Sequence, residues 1–274
     1  GVGFVLFVFS ISLAEMIMIW SFLRRCSANI AVSIMVFIPI TLIIYFCNLL
    51  RQGLAMTVFL CYGTRFIEHK KWGKYLIMCL LLTMIHTVSL IYFCVPIVLK
   101  FYVNSIIIGA CLCIILGLYL VPTLSGIVPY VGDDKVRFIA LTERVVSFLV
   151  ISTVYHSLYR NRGGTWWMKL YCFGTGLYFL FLSSSLVSSR LAACFKSLEM
   201  IIVPQLMTRK SRYRLLLVMY FFVLSVVMFF HSIYGEAVNG GYADINPMNY
   251  PYVSIFNARD IYNYRVTAPV VDFE

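Results

Sequence analysis

The sequence predicts an all-α integral membrane protein, a polytopic bundle of about eight or nine hydrophobic segments near span length. Three observations predict it. Of 274 residues, 62% are hydrophobic and only 12% are charged, where a soluble domain carries roughly 25% charged residues. Mean hydropathy is +0.91, so the chain cannot cover itself with a water-facing surface. The apolar runs are continuous; residues 30–50 contain no charge. A membrane barrel would instead show alternating stretches of about ten residues. Lipid offers the backbone no hydrogen bonds, which leaves helices as the way to cross.

The elements follow in order. Residues 2–23 are apolar, lack a basic leader, and read as a spanning helix rather than a signal peptide; further residues are expected upstream in the natural protein. The remaining helices are read at 30–49, 51–68, 75–98, 104–122, 143–160, 166–188, 190–207 and 214–232. The breaks are Arg24-Arg25-Cys26-Ser27, His69-Lys70-Lys71-Trp72-Gly73, Arg160-Asn161-Arg162-Gly163-Gly164 and Arg209-Lys210-Ser211-Arg212. Each is basic, polar or glycine-bearing, as a cytoplasmic turn should be. Residues 1–234 thus form the helical bundle. Residues 235–274, rich in Tyr, Asn and Pro, read as an extramembrane C-terminal tail.

The net charge of +11 fits the positive-inside rule better than nucleic-acid binding, because the basic residues cluster in short loops. The nine cysteines are scattered without CxxC or His-paired spacing, so they read as packing residues and not as a zinc site or disulfide framework. There is no DxD-type acidic pair, so no metal and no other cofactor is expected. Trp72, Trp166 and Trp167 read as an interfacial belt.

Charge also addresses topology. With Arg24 and Arg25 in the cytoplasm, Arg51 lies at the outer face. The stretch 75–98 either crosses once or turns back as a re-entrant hairpin. Up to residue 214 the hairpin leaves 14 Lys and Arg inside and 6 outside, against 11 and 9 for a single crossing. The hairpin is favoured. It lifts His86 about 18 Å above Lys74, toward the side of Arg51. Arg190, at the turn between two helices, and the loop 123–142, followed by Glu143 and Arg144, fall on the same face. Polar groups gathered at membrane depth imply a water-filled cavity open to the outside.

Asn48-Leu49-Leu50-Arg51-Gln52-Gly53-Leu54-Ala55 resembles the N-x-x-R-Q-x-x-A motif of EpsG-type membrane polysaccharide polymerases, relatives of the Wzy O-antigen polymerases. The basic turn His69-Lys70-Lys71, then His86 in Met84-Ile85-His86-Thr87-Val88-Ser89-Leu90, follow in the family's order, and Arg190 before Leu191 resembles a later helix-start arginine. The family carries a hydroxyl residue two positions after the histidine; here Val88 stands there, flanked by Thr87 and Ser89. The resemblance implies a glycosyltransferase-C-like architecture. It also implies an enzyme that polymerises oligosaccharide repeats linked to polyprenyl diphosphate, at the outer face of the bacterial cytoplasmic membrane. Its partners would be the lipid-linked substrate, the bilayer, a flippase and a chain-length regulator.

For that chemistry the diphosphate leaving group needs fixed positive charge, and guanidinium forks match phosphate oxygens. Arg51 and Arg190 fit that need, with Gln52, Asn48 and Arg144 as further substrate contacts. His86 suits the acceptor hydroxyl as base or hydrogen-bond partner. Glu143 is the rival base, although a helix-start role beside Arg144 explains it more simply. The alternative reading for Arg51 is a snorkelling helix-end residue, and for His86 a core histidine. Two other functions fit a basic outer cavity: a flippase of lipid-linked oligosaccharide, which would usually show an internal repeat, and a non-catalytic scaffold. No internal repeat is evident.

Overall fold

The computed structural model describes residues 2–38, 50–125, 134–159, 165–182, 184–208 and 214–239. Helix α1 (Val2–Cys26) ends on Arg24 and Arg25. The Arg25 guanidinium donates to the Cys61 carbonyl at 3.3 Å and to the Thr64 hydroxyl at 2.5 Å. It thereby fixes the basic end of α1 against a neighbouring helix. The chain turns at once into α2 (Ile30–Phe37), where Asn29 caps the first turn by accepting from the Val32 N–H. Ser33 on α2 donates to the Met200 carbonyl at 2.6 Å.

Helix α3 (Leu50–Val58) runs through a π-helical turn (Phe59–Gly63) into α4 (Thr64–Glu68). The His69–Lys71 turn that follows closes through Lys70, whose φ of 54° is left-handed; the Lys71 N–H returns to the Phe66 carbonyl at 2.8 Å. The expected break is there, built as a helix-ending turn.

The chain next rises through α5 (Trp72–Ile85) and stops at His86, which is extended. A 3-10 segment (Thr87–Cys94) and the short α6 (Val95–Val98) follow. The Tyr75 hydroxyl donates to the Tyr92 carbonyl at 2.7 Å. In one straight helix those residues would lie about 25 Å apart. The stretch 75–98 is therefore a hairpin with His86 at its tip, as the charge count favours. Tyr92 stacks on Phe59 with ring centroids 4.0 Å apart and packs edge-on to Phe195. These aromatic contacts fasten the hairpin to α3's continuation and to a later helix.

The remaining helices are α7 (Val103–Ser125), α8 (Asp134–Tyr159), α9 (Trp166–Leu180), α10 (Ser185–Lys196), α11 (Glu199–Thr208) and α12 (Arg214–Asn239). All described elements are helical. Helices α7 and α9 pack closely because glycine allows it: a Cβ on Gly117 would sit 2.4 Å from the Phe179 carbonyl oxygen.

Several boundaries correct the sequence reading. Helix α9 ends at Leu180, and α10 opens at Ser185. Arg190 thus lies within a helix instead of at a turn. The run 190–207 is not one helix but two, meeting at a 40° bend after Lys196. Of the loop expected at 123–142, residues 123–125 and 134–142 are helical, and 126–133 lie outside the described residues. Helix α12 continues to Asn239, past the expected end of the bundle. Trp167 is buried against Phe22, with centroids 6.0 Å apart, and does not belong to a surface belt.

Among the described residues two helical stretches, Leu6–Cys26 and Arg214–His231, are long and apolar enough to cross a membrane. A third span arises if α10 and α11 count as one broken helix. Shorter apolar stretches among the described residues are Trp72–Ile85, Thr87–Val98 and Val103–Tyr119, and residues 39–49 of the expected second segment lie outside the described residues. Exposed Leu, Ile and Phe side chains cover α1 and α12, as lipid-facing helices require. The chain is an all-helical integral membrane protein.

The glycine contact gives a test. Gly117→Ala forces a methyl into the α9 backbone and should destabilise the protein by about 1–3 kcal/mol. Gly109→Ala, on the same helix with open space at its Cβ, should be neutral. Thermal unfolding of the detergent-solubilised variants checks both.

Candidate functional site

A cavity of about 450 Å³ lies between α1, α3, the hairpin tip and α10, lined by Phe7, Ile11, Leu50, Arg51, Gln52, Leu54, His86 and Arg190. Four of the residues expected at a site thus meet in one space. They come from three separate stretches of chain. Arg51 and Gln52 enter on the first turn of α3. His86 enters because α5 ends there: its N–H bonds the Leu82 carbonyl and its own carbonyl accepts from the Ser89 N–H, both at 2.9 Å. Arg190 enters from within α10.

One hydrogen bond joins two of these stretches. Gln52 is 2% exposed, and its Nε2 donates to the Arg190 carbonyl at 3.0 Å. The same carbonyl lies 3.7 Å from the Cys194 thiol. Gln52 thus holds the backbone of Arg190 against α3.

The cavity has two chemical characters. Arg51 and Arg190 present donor-only guanidinium groups, with no carboxylate partner among the described residues. Both lie near enough to act electrostatically on His86. In contrast, Gln52 Oε1 and His86 Nε2 are buried atoms without a hydrogen-bond partner. Orphaned buried polar atoms are uncommon in native proteins; Gln52 Oε1 requires a donor from outside the protein, and His86 Nε2 a donor or an acceptor according to its tautomer. The space therefore suits a molecule with an anionic part and a hydroxyl-bearing part. Leu50, Leu54, Phe7 and Ile11 supply an apolar wall.

Glu143 and Arg144 do not line this cavity. With α8 beginning at Asp134, Glu143 lies well inside a helix, where it is buried and ion-paired with Lys196 of α10. Ser147 donates to its other oxygen at 3.3 Å and lies 3.1 Å from the Tyr220 hydroxyl. Arg144 stacks over the Tyr178 ring at 4.1 Å. Together with Tyr171, Thr175 and Glu199, Arg144 and Lys196 surround a second cavity of about 10 Å³, room for a single water. This cluster joins α8, α9, α10 and α11 and has no space for a substrate. Asn48 lies outside the described residues. Among the described residues no group of three or more His, Cys, Asp or Glu could hold a metal ion.

Sequence reasoning did not single out Lys196 or Glu199. The available signal was their spacing, two charges three residues apart inside an apolar run. It also missed the apolar wall from α1, for which residue type gives no cue.

The Glu143–Lys196 pair should behave as a buried ion pair. Removing one member, as in Lys196→Met, leaves a buried charge and should cost about 3–5 kcal/mol. The double variant Glu143→Gln with Lys196→Met should recover most of it. Denaturation of the purified variants in detergent distinguishes the two results.

No curated protein and no solved structure gives a significant match to this chain. One family model does match, that of the EpsG family, over residues 1–253. The match spans the whole described bundle, including both arginines, Gln52 and the hairpin histidine, and by it the chain belongs to the EpsG family.

Proposed function

We propose that the protein is a polysaccharide polymerase, a membrane glycosyltransferase that joins oligosaccharide repeats carried on polyprenyl diphosphate. The observation that carries this reading is the double character of the cavity: two guanidinium groups with no carboxylate partner among the described residues, beside two orphaned polar atoms, Gln52 Oε1 and His86 Nε2. A sugar diphosphate has the matching parts. Its phosphates take the arginines, and its hydroxyls bond to the orphaned atoms. Membership of the EpsG family supports the same activity.

In the reaction, a hydroxyl oxygen of the acceptor repeat attacks the anomeric carbon of the donor. The bond from that carbon to the diphosphate oxygen breaks, and its electron pair leaves with the diphosphate. Negative charge grows on phosphate oxygens as this happens. Arg51 and Arg190, held in place before the substrate arrives, stabilise that charge without reorganising. Gln52 contributes by fixing the Arg190 backbone and by accepting from a sugar hydroxyl. His86 Nε2 accepts the hydrogen bond of the attacking hydroxyl in the bound complex and orients its lone pair, and the hydroxyl's proton leaves to a base as the new bond forms. The leaving group is an anion held by arginines, so the residues themselves meet the electrostatic need.

The cavity's depth supports an outer-face site. Phe7 and Arg25 are 18 residues apart on α1, about 27 Å along a helix. The hydrocarbon core is about 30 Å thick. With Arg24 and Arg25 on the cytoplasmic side by the positive-inside rule, the cavity falls in the opposite half. Asn48, next to α3 in sequence, belongs to the same proposed substrate contacts. Glu143 and Arg144 belong to the packing of α8, and their loss should act through stability.

Purified protein in lipid nanodiscs, given a defined lipid-linked repeat, should form a ladder of longer products. Arg51→Ala and Arg190→Ala should each lower turnover by about 10²–10³-fold. Arg51→Lys should recover little, since an ammonium lacks the planar fork. His86→Ala should lower turnover with insertion and folding intact. Full-length product from Arg51→Ala would sink the site assignment. Lipid-linked repeats stranded on the inner leaflet in cells, with normal in vitro polymerisation absent, would favour a flippase.

A further inference from the structure

The first helix carries a carboxyl group that the mechanism above does not use. Glu15 lies in the apolar middle of α1 and is 0% exposed. Both its oxygens are buried and without a hydrogen-bond partner. An unpartnered charge in apolar packing is costly, and ionisable groups at membrane depth are seldom placed there without use.

Its position ties it to the cavity. Phe7 and Ile11, which line the cavity, precede Glu15 at intervals of four residues, so the three form one stripe down α1. Helical side chains lean toward the N-terminus and cover the turn before their own Cα. The Glu15 side chain therefore leans toward Ile11 and the cavity wall. The register with α3 gives its depth. Arg25 reaches Cys61 and Thr64, 36 and 39 residues further along the chain. Phe7 and Ile11 meet Leu50 to Leu54 across the cavity. The two helices thus run in parallel, and Glu15 stands one turn beyond Ile11 along the α1 face that borders the cavity. Helices α1 and α3 pack directly on one another.

We propose that Glu15 is the proton acceptor of the site, a carboxylate one helical turn behind the cavity wall that takes the proton of the attacking sugar hydroxyl. The inference rests on the polymerase reading. As the hydroxyl oxygen bonds to the anomeric carbon, its O–H bond breaks and the proton passes to a Glu15 oxygen. The glycosyl–oxygen bond breaks in the same event, and its electrons leave with the diphosphate. The protonated Glu15 later returns its proton to the released diphosphate or to water, which restores the carboxylate. No hydrogen bond holds the carboxyl in its buried place, so rotation about its own side-chain bonds past Ile11 breaks none. Taking up a proton also removes an unpartnered charge from apolar packing. His86 Nε2 holds the hydroxyl's hydrogen before the reaction, and that hydrogen turns from His86 to Glu15 as the oxygen attacks.

The test compares wild type, Glu15→Gln and Glu15→Asp as full chains in nanodiscs, with a defined lipid-linked repeat for turnover and polyprenyl diphosphate for binding. Glu15→Gln keeps the shape and loses the base. It should lower kcat by about 100-fold or more with little change in KM, and should still bind polyprenyl diphosphate; Glu15→Asp should recover part of the rate. Wild-type turnover in Glu15→Gln overturns the Glu15 assignment and leaves the polymerase reading standing. Loss of polyprenyl-diphosphate binding together with turnover assigns Glu15 a structural role and overturns it too. Wild type that binds polyprenyl diphosphate but forms no polymer overturns the polymerase reading and the Glu15 role with it. Should Glu15→Gln not fold, infrared difference spectra of the wild type decide. Adding donor and acceptor must change a carboxyl band, and a silent carboxyl region rejects the proposal.

Discussion

The hydrogen bond from the Gln52 side chain to the Arg190 carbonyl joins parts of the chain 138 residues apart, and the cavity depends on it. It pins the first turn of α3 to the second turn of α10, so Arg51 and Arg190 face one space. Gln52 itself is 2% exposed, which limits competition from water for this bond. It also commits only half of the amide. The nitrogen is spent on the protein, and the oxygen is left without a partner. An amide suits that split role, since it carries donors and acceptors on one rigid plane.

The hairpin at 75–98 solves a different problem. A helix that stops at membrane depth exposes carbonyls that lipid cannot satisfy. Here the 3-10 return begins immediately, with the Ser89 N–H on the His86 carbonyl, and the Tyr75 hydroxyl covers the Tyr92 carbonyl. The stacked Phe59 and Tyr92 rings then close the hairpin against the bundle. A polar tip can stand in the membrane because its stem is satisfied by its own side chains.

Much of this was legible in sequence. Composition set the fold class, since 12% charge leaves no soluble alternative. The convergence of Arg51, Gln52, His86 and Arg190 followed from charge placement together with a motif. The break at Lys196–Glu199 was not legible. Ser197 and Leu198 give no helix-stop signal, whereas Pro204, which should be one, sits inside α11. The ion pair of Glu143 with Lys196 was also hidden, because one sequence does not say which helix faces meet across 53 residues. The start of α8 at Asp134 was missed because a charged turn at a helix N-terminus looks like loop when only hydropathy is read.

Phe7 belongs to the cavity wall and is also 60% exposed on a helix whose outer surface is apolar. One side chain therefore borders both the interior space and the surrounding hydrocarbon. Access along that edge lies in the plane of the bilayer. A lipid-anchored molecule arriving there keeps its tail among other tails and brings only its head group past the ring. The search for such a molecule is two-dimensional, and its effective concentration is set by its density in the leaflet. Under the proposed function, the phosphate end of such a molecule would meet Arg51 and the sugar would point away from the hydrocarbon, where a lengthening product has room.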